Sequence, residues 1–305
     1  MPEGKRFRHA GDARAVRVES DNTMGTAFSS CNTARQAIFP ATLASLDDLK
    51  GKRVVITGAT SGIGLQLLRR MLSLGAYVVG LGRNEEVIDK LKEEATRNAW
   101  HLHVLRCDVS DREDVRRTAE RIFSLYGGVD VLVNNAGVTS GGKWITDLSE
   151  DEIQRTVNVN LTAHFWTLKA FLPFMIEQNS GHIVTVDSVA GMMGVAGLTD
   201  YCASKFGAFG MTEALRFELA KRKANIGTSI VCPSYVSNAM GEDAPVKCGA
   251  VFPRIDEDYV VEQIVSAIVF KRALVILPRT IALSYLTRLY PVPVYDSIVR
   301  MWAHV

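Results

Sequence analysis

Short apolar, β-branched runs alternate with longer amphipathic stretches from Lys52 to about residue 278, and this alternation limits the available folds more than any other feature. The runs are Val54–Ile56, Tyr77–Leu81, Leu102–Arg106, Val131–Val133, His182–Val186, Thr228–Val231 and Leu274–Leu277. Stretches with helical spacing lie between them, near 62–74, 85–97, 111–126, 149–178, 201–223 and 256–271. Strands that each lead into a helix build a parallel sheet covered on both faces. Right-handed crossovers then wind that sheet both ways from its middle. The predicted fold is therefore α/β, a Rossmann-like doubly wound parallel sheet of about seven strands with helices on both faces.

A chain of 305 residues suggests about two domains by length alone. No linker and no further repeat interrupts residues 50–278, so a single domain is expected there. Residues 1–49 read as a tail and lead-in segment, and residues 279–305 as an amphipathic C-terminal segment. With 47% apolar and 22% charged residues the chain is globular rather than disordered, and a net charge of +2 gives no broad basic field for nucleic acid. Five widely spaced cysteines without a C-x-x-C fit a reducing compartment such as the cytoplasm and no zinc site. His101 and His103 alternate like two ligands on a strand but lack a third, so no metal is expected; they read as ordinary, partly buried histidines. The uncharged stretch from Ala224 to Gly241 is broken by Pro233, Asn225, Asn238 and serines and is no membrane span. The N-terminus is basic without an apolar run, unlike a secretory signal; Met24-Gly25 would start a myristoylation signal only if Met24 were the first residue.

The first strand runs into Thr57-Gly58-Ala59-Thr60-Ser61-Gly62-Ile63-Gly64. Glycines that let backbone approach closely, followed by a helix N-terminus, form an anion site suited to a pyrophosphate. The spacing is G-x-x-x-G-x-G rather than the usual dinucleotide fingerprint, and alone it is also compatible with a plain tight turn. The second strand ends Leu81-Gly82-Arg83, without the carboxylate that binds ribose hydroxyls in NAD enzymes. Arg83 suits a 2′-phosphate, so NADP(H) is favoured over NAD(H), although Glu85 and Glu86 stand ready to pair with that arginine. Tyr201 and Lys205 are spaced i and i+4 and project from one helix face; a cation beside a phenol favours the phenolate and prepares it for proton transfer, although the spacing alone is common and equally describes a surface pair. Ser188 follows the strand ending at Val186, where α/β sheets bind ligands, and its hydroxyl can donate to a carbonyl oxygen; taken alone it also reads as a strand-end hydroxyl satisfying backbone.

Together these motifs resemble the classical short-chain dehydrogenase/reductase family over residues 50–278. The turn Thr57–Gly64, Asp108-Val109 after the third strand, Asn134-Asn135-Ala136-Gly137 after the fourth, Asn160 in Asn158–Leu161, Ser188, and Tyr201 with Lys205 occur in the family's order. The resemblance implies a dinucleotide-binding catalytic domain. In it Tyr201 acts as general acid or base, Lys205 lowers its pKa and holds the nicotinamide ribose, Ser188 bonds the substrate oxygen, and Asn160 positions a water in a proton relay. It also implies that Gly58, Thr60, Ser61, Gly62, Ile63 and Gly64 cradle the cofactor, that Asp108 and Val109 contact adenine, and that Asn135, Ala136 and Gly137 line the nucleotide cleft. The family's Pro-Gly-x-Val-x-Thr loop reads Pro233-Ser234-Tyr235-Val236-Ser237-Asn238 here; Pro233 and Val236 are kept, Asn238 offers an amide, and Ser234 departs from the glycine.

Residues Ala190–Leu198 are apolar and Met-rich, suiting a lipophilic pocket or core packing, and the long loop from Ser234 to Pro253 reads as a lid. Phe165–Pro173, Gly181–Val184 and Val275–Pro278 resemble the branch of retinol dehydrogenases, retinal reductases and some hydroxysteroid dehydrogenases. That resemblance implies a lipophilic carbonyl or alcohol substrate and a homodimer or homotetramer. Branch members often work at endoplasmic-reticulum or lipid-droplet membranes through an N-terminal anchor that this sequence does not display. Any membrane contact would then be peripheral, and the segment after Pro278 can serve a membrane surface, a domain cap or a subunit contact. A catalytically idle NADP(H)-binding scaffold is the alternative reading.

Overall fold

The computed structural model describes residues 46–238, 240, 253–282 and 287–303. Most of the 1–49 tail, Met24, Cys31, Cys248 and most of the Ser234–Pro253 loop lie outside the described residues. The sheet consists of β1 Arg53–Thr57, β2 Tyr77–Gly82, β3 Leu102–Arg106, β4 Val131–Asn134, β5 Gly181–Val186, β6 Ile226–Pro233 and β7 Leu274–Leu277. All seven are parallel, in the order β3-β2-β1-β4-β5-β6-β7. The chain leaves β1 toward β2 on one side and returns at β4 on the other. This reversal opens a crevice above the strand C-terminal ends.

The helices are α1 Gly62–Ser73, α2 Glu85–Asn98, α3 Arg112–Tyr126, α4 Glu150–Val157, α5 Ala163–Glu177, α6 Thr199–Lys221, α7 Glu257–Val269 and α8 Val292–Ala303. Strand side chains alternate between two cores. Val54 and Ile56 pack with Leu67, Leu68 and Ile264 of α1 and α7 on one face. Val55, Leu132 and Ile183 pack with Ile122, Phe171 and Met175 of α3 and α5 on the other. Burial on both faces is why the strands read as continuous apolar runs. Helix starts carry their own signals: Asn84 accepts from the Val87 N–H, Asp111 caps α3, and Ser149 with Glu152 forms a reciprocal capping box.

Three details depart from the sequence reading. The helix expected over 149–178 is divided by a π-helical turn at Asn158–Thr162. A single extra residue widens the turn and carries Asn160 inward; periodicity cannot register so local a change. His101 and His103 are exposed rather than partly buried; their rings lie against Tyr77 and Tyr126. Arg83 pairs with neither Glu85 nor Glu86: Glu85 bonds Arg106 at 3.1 Å, and Arg83 reaches Asp108 instead.

The C-terminal segment is partly seated on the domain. Arg288 Nε donates to the Met192 carbonyl at 2.8 Å, and its guanidinium stacks 4.9 Å from the Phe206 ring centroid and 5.6 Å from that of Tyr295. Val299 packs against the Met192 and Met193 cluster. Leu289, Tyr290, Val292 and Val294 point outward and are exposed. Among the described residues no helix is long and apolar enough to cross a membrane, and no side-chain cluster has the makings of a metal site.

Candidate active site

The turn between β1 and α1 is built to bring backbone close to a ligand. Gly58 has φ +66°, which favours glycine, and a Cβ at Gly64 would overlap both the Gly58 carbonyl oxygen and the Asn135 amide. Thr57 Oγ1 accepts from the N–H groups of Asn135 and Ala136 at 2.9 and 3.0 Å, while Asn135 Nδ2 donates to the Thr57 carbonyl at 2.9 Å. These bonds tie the ends of β1 and β4 together beneath the turn. Ser61 enters α1 in extended conformation and makes no side-chain cap, so no side chain of its own covers the N–H groups of the first turn. Such a start, with its partial positive charge, fits a dinucleotide's pyrophosphate.

At the end of β2, a Cβ on Gly82 would stand 2.6 Å from Thr60 Oγ1, so this position accommodates no side chain while Thr60 keeps its place. Arg83 Nη1 lies 3.4 Å from Asp108 Oδ2 at the end of β3. Asp108 Oδ1 accepts from the Ser110 N–H and hydroxyl at 3.0 and 2.6 Å. Burial works to raise the Asp108 carboxyl, but the Ser110 bonds and the Arg83 charge outweigh it and hold the group below its usual range. Arg83 and Asp108, both expected at the adenosine end, thus meet across adjacent strand ends.

Ser188 leads a short turn at Val189–Gly191 and its hydroxyl accepts from the Ala190 N–H at 3.1 Å. Its own proton has no acceptor among the described residues and can go to a ligand. Tyr201 and Lys205 sit in the first two turns of α6, with Lys205 Nζ 5.7 Å from the Tyr201 ring centroid and donating to the Val186 carbonyl at 3.0 Å. Ser188, Tyr201 and Lys205 line one cleft of about 620 Å³ with Gly58, Thr60, Ser61, Gly62, Ile63, Arg83, Asp108, Val109, Asn135, Ala136, Gly137, Pro233, Val236 and Asn238. Gly64 and Asn160 are expected site residues that stand behind its wall. Gly64 allows the tight packing described above. Asn160 is fully buried: Oδ1 accepts from the Val138 N–H at 2.8 Å, and Nδ2 donates to the Val138 carbonyl and to Ser204 Oγ at 2.9 and 3.1 Å. Both amide protons are engaged, so its side chain holds backbone in place rather than reaching into the cleft.

A family model for short chain dehydrogenases matches residues 52–247. The chain belongs to the short-chain dehydrogenase/reductase family. Epidermal retinol dehydrogenase 2 of Mus musculus is 40% identical over 234 residues, covering 76% of this chain and 75% of that protein. Among solved structures, a short-chain dehydrogenase/reductase from Burkholderia phymatum in complex with NAD shares the fold at TM-score 0.72 and 24% identity, covering 79% of this chain and 94% of that one. A metagenomic short-chain oxidoreductase in complex with NADP aligns at TM-score 0.63 and 30% identity, covering 75% and 96%. As a short-chain dehydrogenase/reductase, the protein is an oxidoreductase resembling retinol dehydrogenases, and its family binds a nicotinamide dinucleotide.

Several groups in this short-chain dehydrogenase/reductase carry no sequence signal of their own. Ser204 receives the Asn160 amide and donates to the Tyr201 carbonyl at 2.7 Å, linking the π turn to α6. Asp200, buried beside Tyr201, accepts from Ser140 Oγ at 2.7 Å and holds the loop after β4. His164 is fully buried with neither ring nitrogen bonded among the described residues; burial, and next the Lys205 charge, push its pKa down to about 3. Asp187 precedes Ser188 and is buried with both carboxyl oxygens unbonded among the described residues. In the sequence each reads as an ordinary polar residue; only tertiary burial sets it apart.

Proposed function

We propose that the protein transfers a hydride between NADP(H) and a lipophilic carbonyl or alcohol, acting as a reductase of a retinal-like, steroid or long-chain aldehyde or ketone. The observation that carries the reading is the convergence of Ser188, Tyr201 and Lys205 on the cleft whose far end holds the glycine turn. When bound, the nicotinamide supplies the hydride. The chain does the rest. The Ser188 hydroxyl donates to the substrate oxygen and orients it. The Tyr201 hydroxyl gives up its proton to that oxygen in reduction and takes it back in oxidation. Lys205, already beside the phenol ring, offsets the charge left as the proton departs and holds the ribose. Asn160 fixes the Val138 backbone on the adjoining wall. Gly58 to Ile63 receive the pyrophosphate, Asp108 and Val109 the adenine, and Val236 and Asn238 the carboxamide side.

The NADP(H) preference rests on Arg83 and on the glycine at position 82. A guanidinium at the end of β2 offers a fork to a 2′-phosphate, and no carboxylate stands there to repel it. The lipophilic substrate is supported by the apolar cleft wall of Val138, Val189, Val195, Leu198 and Met240, and by the resemblance to a retinol dehydrogenase. The exposed side chains of Leu289, Tyr290, Val292 and Val294 support peripheral membrane contact. NADPH consumption with retinal, steroid ketones, fatty aldehydes and sphingoid ketones tests the reading, with NADH measured in parallel. Turnover of at least one class with NADPH preferred is the expected result. No turnover of any class would leave the idle NADP(H)-binding scaffold as the better account.

A further inference from the structure

Asp187 lies between a residue that holds Lys205 and one assigned to the chemistry. Val186 supplies the carbonyl that holds Lys205 Nζ, and Ser188 supplies the substrate-facing hydroxyl. The Asp187 main chain is locked into the sheet by its N–H to the Val231 carbonyl at 2.7 Å, and its side chain is buried there. The carboxyl instead presses on Gly191. A Cβ at that position would come within 2.6 Å of Asp187 Oδ2 and 3.0 Å of the Lys205 carbonyl oxygen. Only 3% of Asp187 is exposed, and neither oxygen has a hydrogen-bond partner among the described residues.

Among the described residues the groups around it are few. From α6 comes Lys205, which is 3% exposed. From β6 comes Cys232, whose thiol is driven well above its usual range by burial and then by the Asp187 charge, and so stays neutral. Its own turn offers the Ser188 N–H. An unpaired carboxylate in such a place is far more costly than a neutral carboxyl. We propose that Asp187 is a positioning residue that holds a proton beneath the active site and, by releasing it, draws the Lys205 ammonium toward the Val186 carbonyl and away from Tyr201 and the cofactor ribose.

Neutral Asp187 leaves Lys205 free to serve phenol and ribose. Ionised Asp187 adds a buried counter-charge on the strand side and retains the ammonium there, because attraction is strong in a low-dielectric interior. Burial pushes the Asp187 pKa up to about 7, against the opposing pull of Lys205 and the Ser188 N–H, which puts the transition in the neutral range. The step moves one proton between Asp187 and solvent and breaks no other bond. It rests on the roles given above to Ser188, Tyr201 and Lys205.

The test compares wild type with Asp187→Asn, an isosteric side chain that stays neutral. NADPH affinity is measured by fluorescence between pH 6 and pH 8.5. We expect wild-type affinity to fall by about tenfold across this range while the variant stays nearly flat, with the same contrast in the reductive kcat. Infrared difference spectra of the wild-type protein, which need neither cofactor nor variant activity, should show a protonated-carboxyl band at pH 6 that is lost by pH 8.5; Asp187→Asn assigns the band. Coincident affinity profiles for the two proteins, or an Asp187 carboxylate already ionised at pH 6, would overturn the proposal. Absence of NADPH binding to wild type at every pH would instead bring down the cofactor reading, and this proposal with it.

Discussion

Asn160 on the π turn donates from Nδ2 to Ser204 Oγ on α6 at 3.1 Å, joining two helices from residues 44 positions apart. Ser204 lies one turn from Tyr201 and next to Lys205, and its hydroxyl donates a hydrogen bond to the Tyr201 carbonyl. Ser204→Ala leaves a buried amide proton unbonded, at a cost of about 1–3 kcal/mol. We expect a lower melting temperature and a reductive kcat reduced by roughly tenfold through misplacement of Tyr201. Unchanged kcat alongside lowered stability would limit Ser204 to a structural part.

Tyr201→Phe removes the proton while keeping the ring. Turnover should fall by about 10²–10⁴-fold, with NADPH affinity close to wild type in a fluorescence titration. Lys205→Met should lose both turnover and affinity, because the ammonium serves phenol and ribose together. A Tyr201→Phe enzyme with substantial activity would contradict the mechanism.

Arg83→Ala should raise KM for NADPH by about 10–100-fold, since a charge-assisted bond contributes about 1.5–3 kcal/mol, and leave KM for NADH nearly unchanged. Asp108 competes with a phosphate for Arg83, the present pair being 3.4 Å long. Asp108→Asn should therefore ease 2′-phosphate binding while weakening adenine contact, so that the NADPH-to-NADH ratio of kcat/KM rises. Equal efficiency with both cofactors in wild type would remove the role given to Arg83.

His164 governs stability on the acid side. Its native pKa of about 3 lies below the ordinary histidine value, so the unfolded chain takes up a proton first as pH falls. Its contribution is present above about pH 6.5 and is lost progressively toward pH 3. Denaturant midpoints should decline over that window, and His164→Gln should flatten the decline. His182, held at about 4 by burial and then by the Lys271 charge, gives a parallel but narrower dependence.

Asp187 acts with the opposite sign. Its native pKa of about 7 exceeds the ordinary carboxyl value, so from about pH 4 upward the unfolded chain is ionised while the native protein keeps the proton. Stability falls as pH rises through this range and levels off above 7. Asp187→Asn should be more stable than wild type at pH 8 by roughly 2–4 kcal/mol, with the two converging near pH 4 in urea titrations.

The sheet was legible because parallel strands buried on both faces leave unmistakable apolar runs, and every strand sits where those runs lie. The glycine turn, Ser188, Tyr201 and Lys205 were legible because local spacing alone predicts a shared face or a strand end. Amino-acid order thus determined the fold class, the family and the inventory of reactive groups. Tertiary structure decided which of those groups meet. The π turn that turns Asn160 inward, the Arg83–Asp108 pair across strand ends, the Arg288 contact with Met192 and the burial of Asp187 and His164 all depend on residues far apart in the chain. Hydrogen bonds and desolvation act over a few ångströms in space, and composition and periodicity carry no record of those distances.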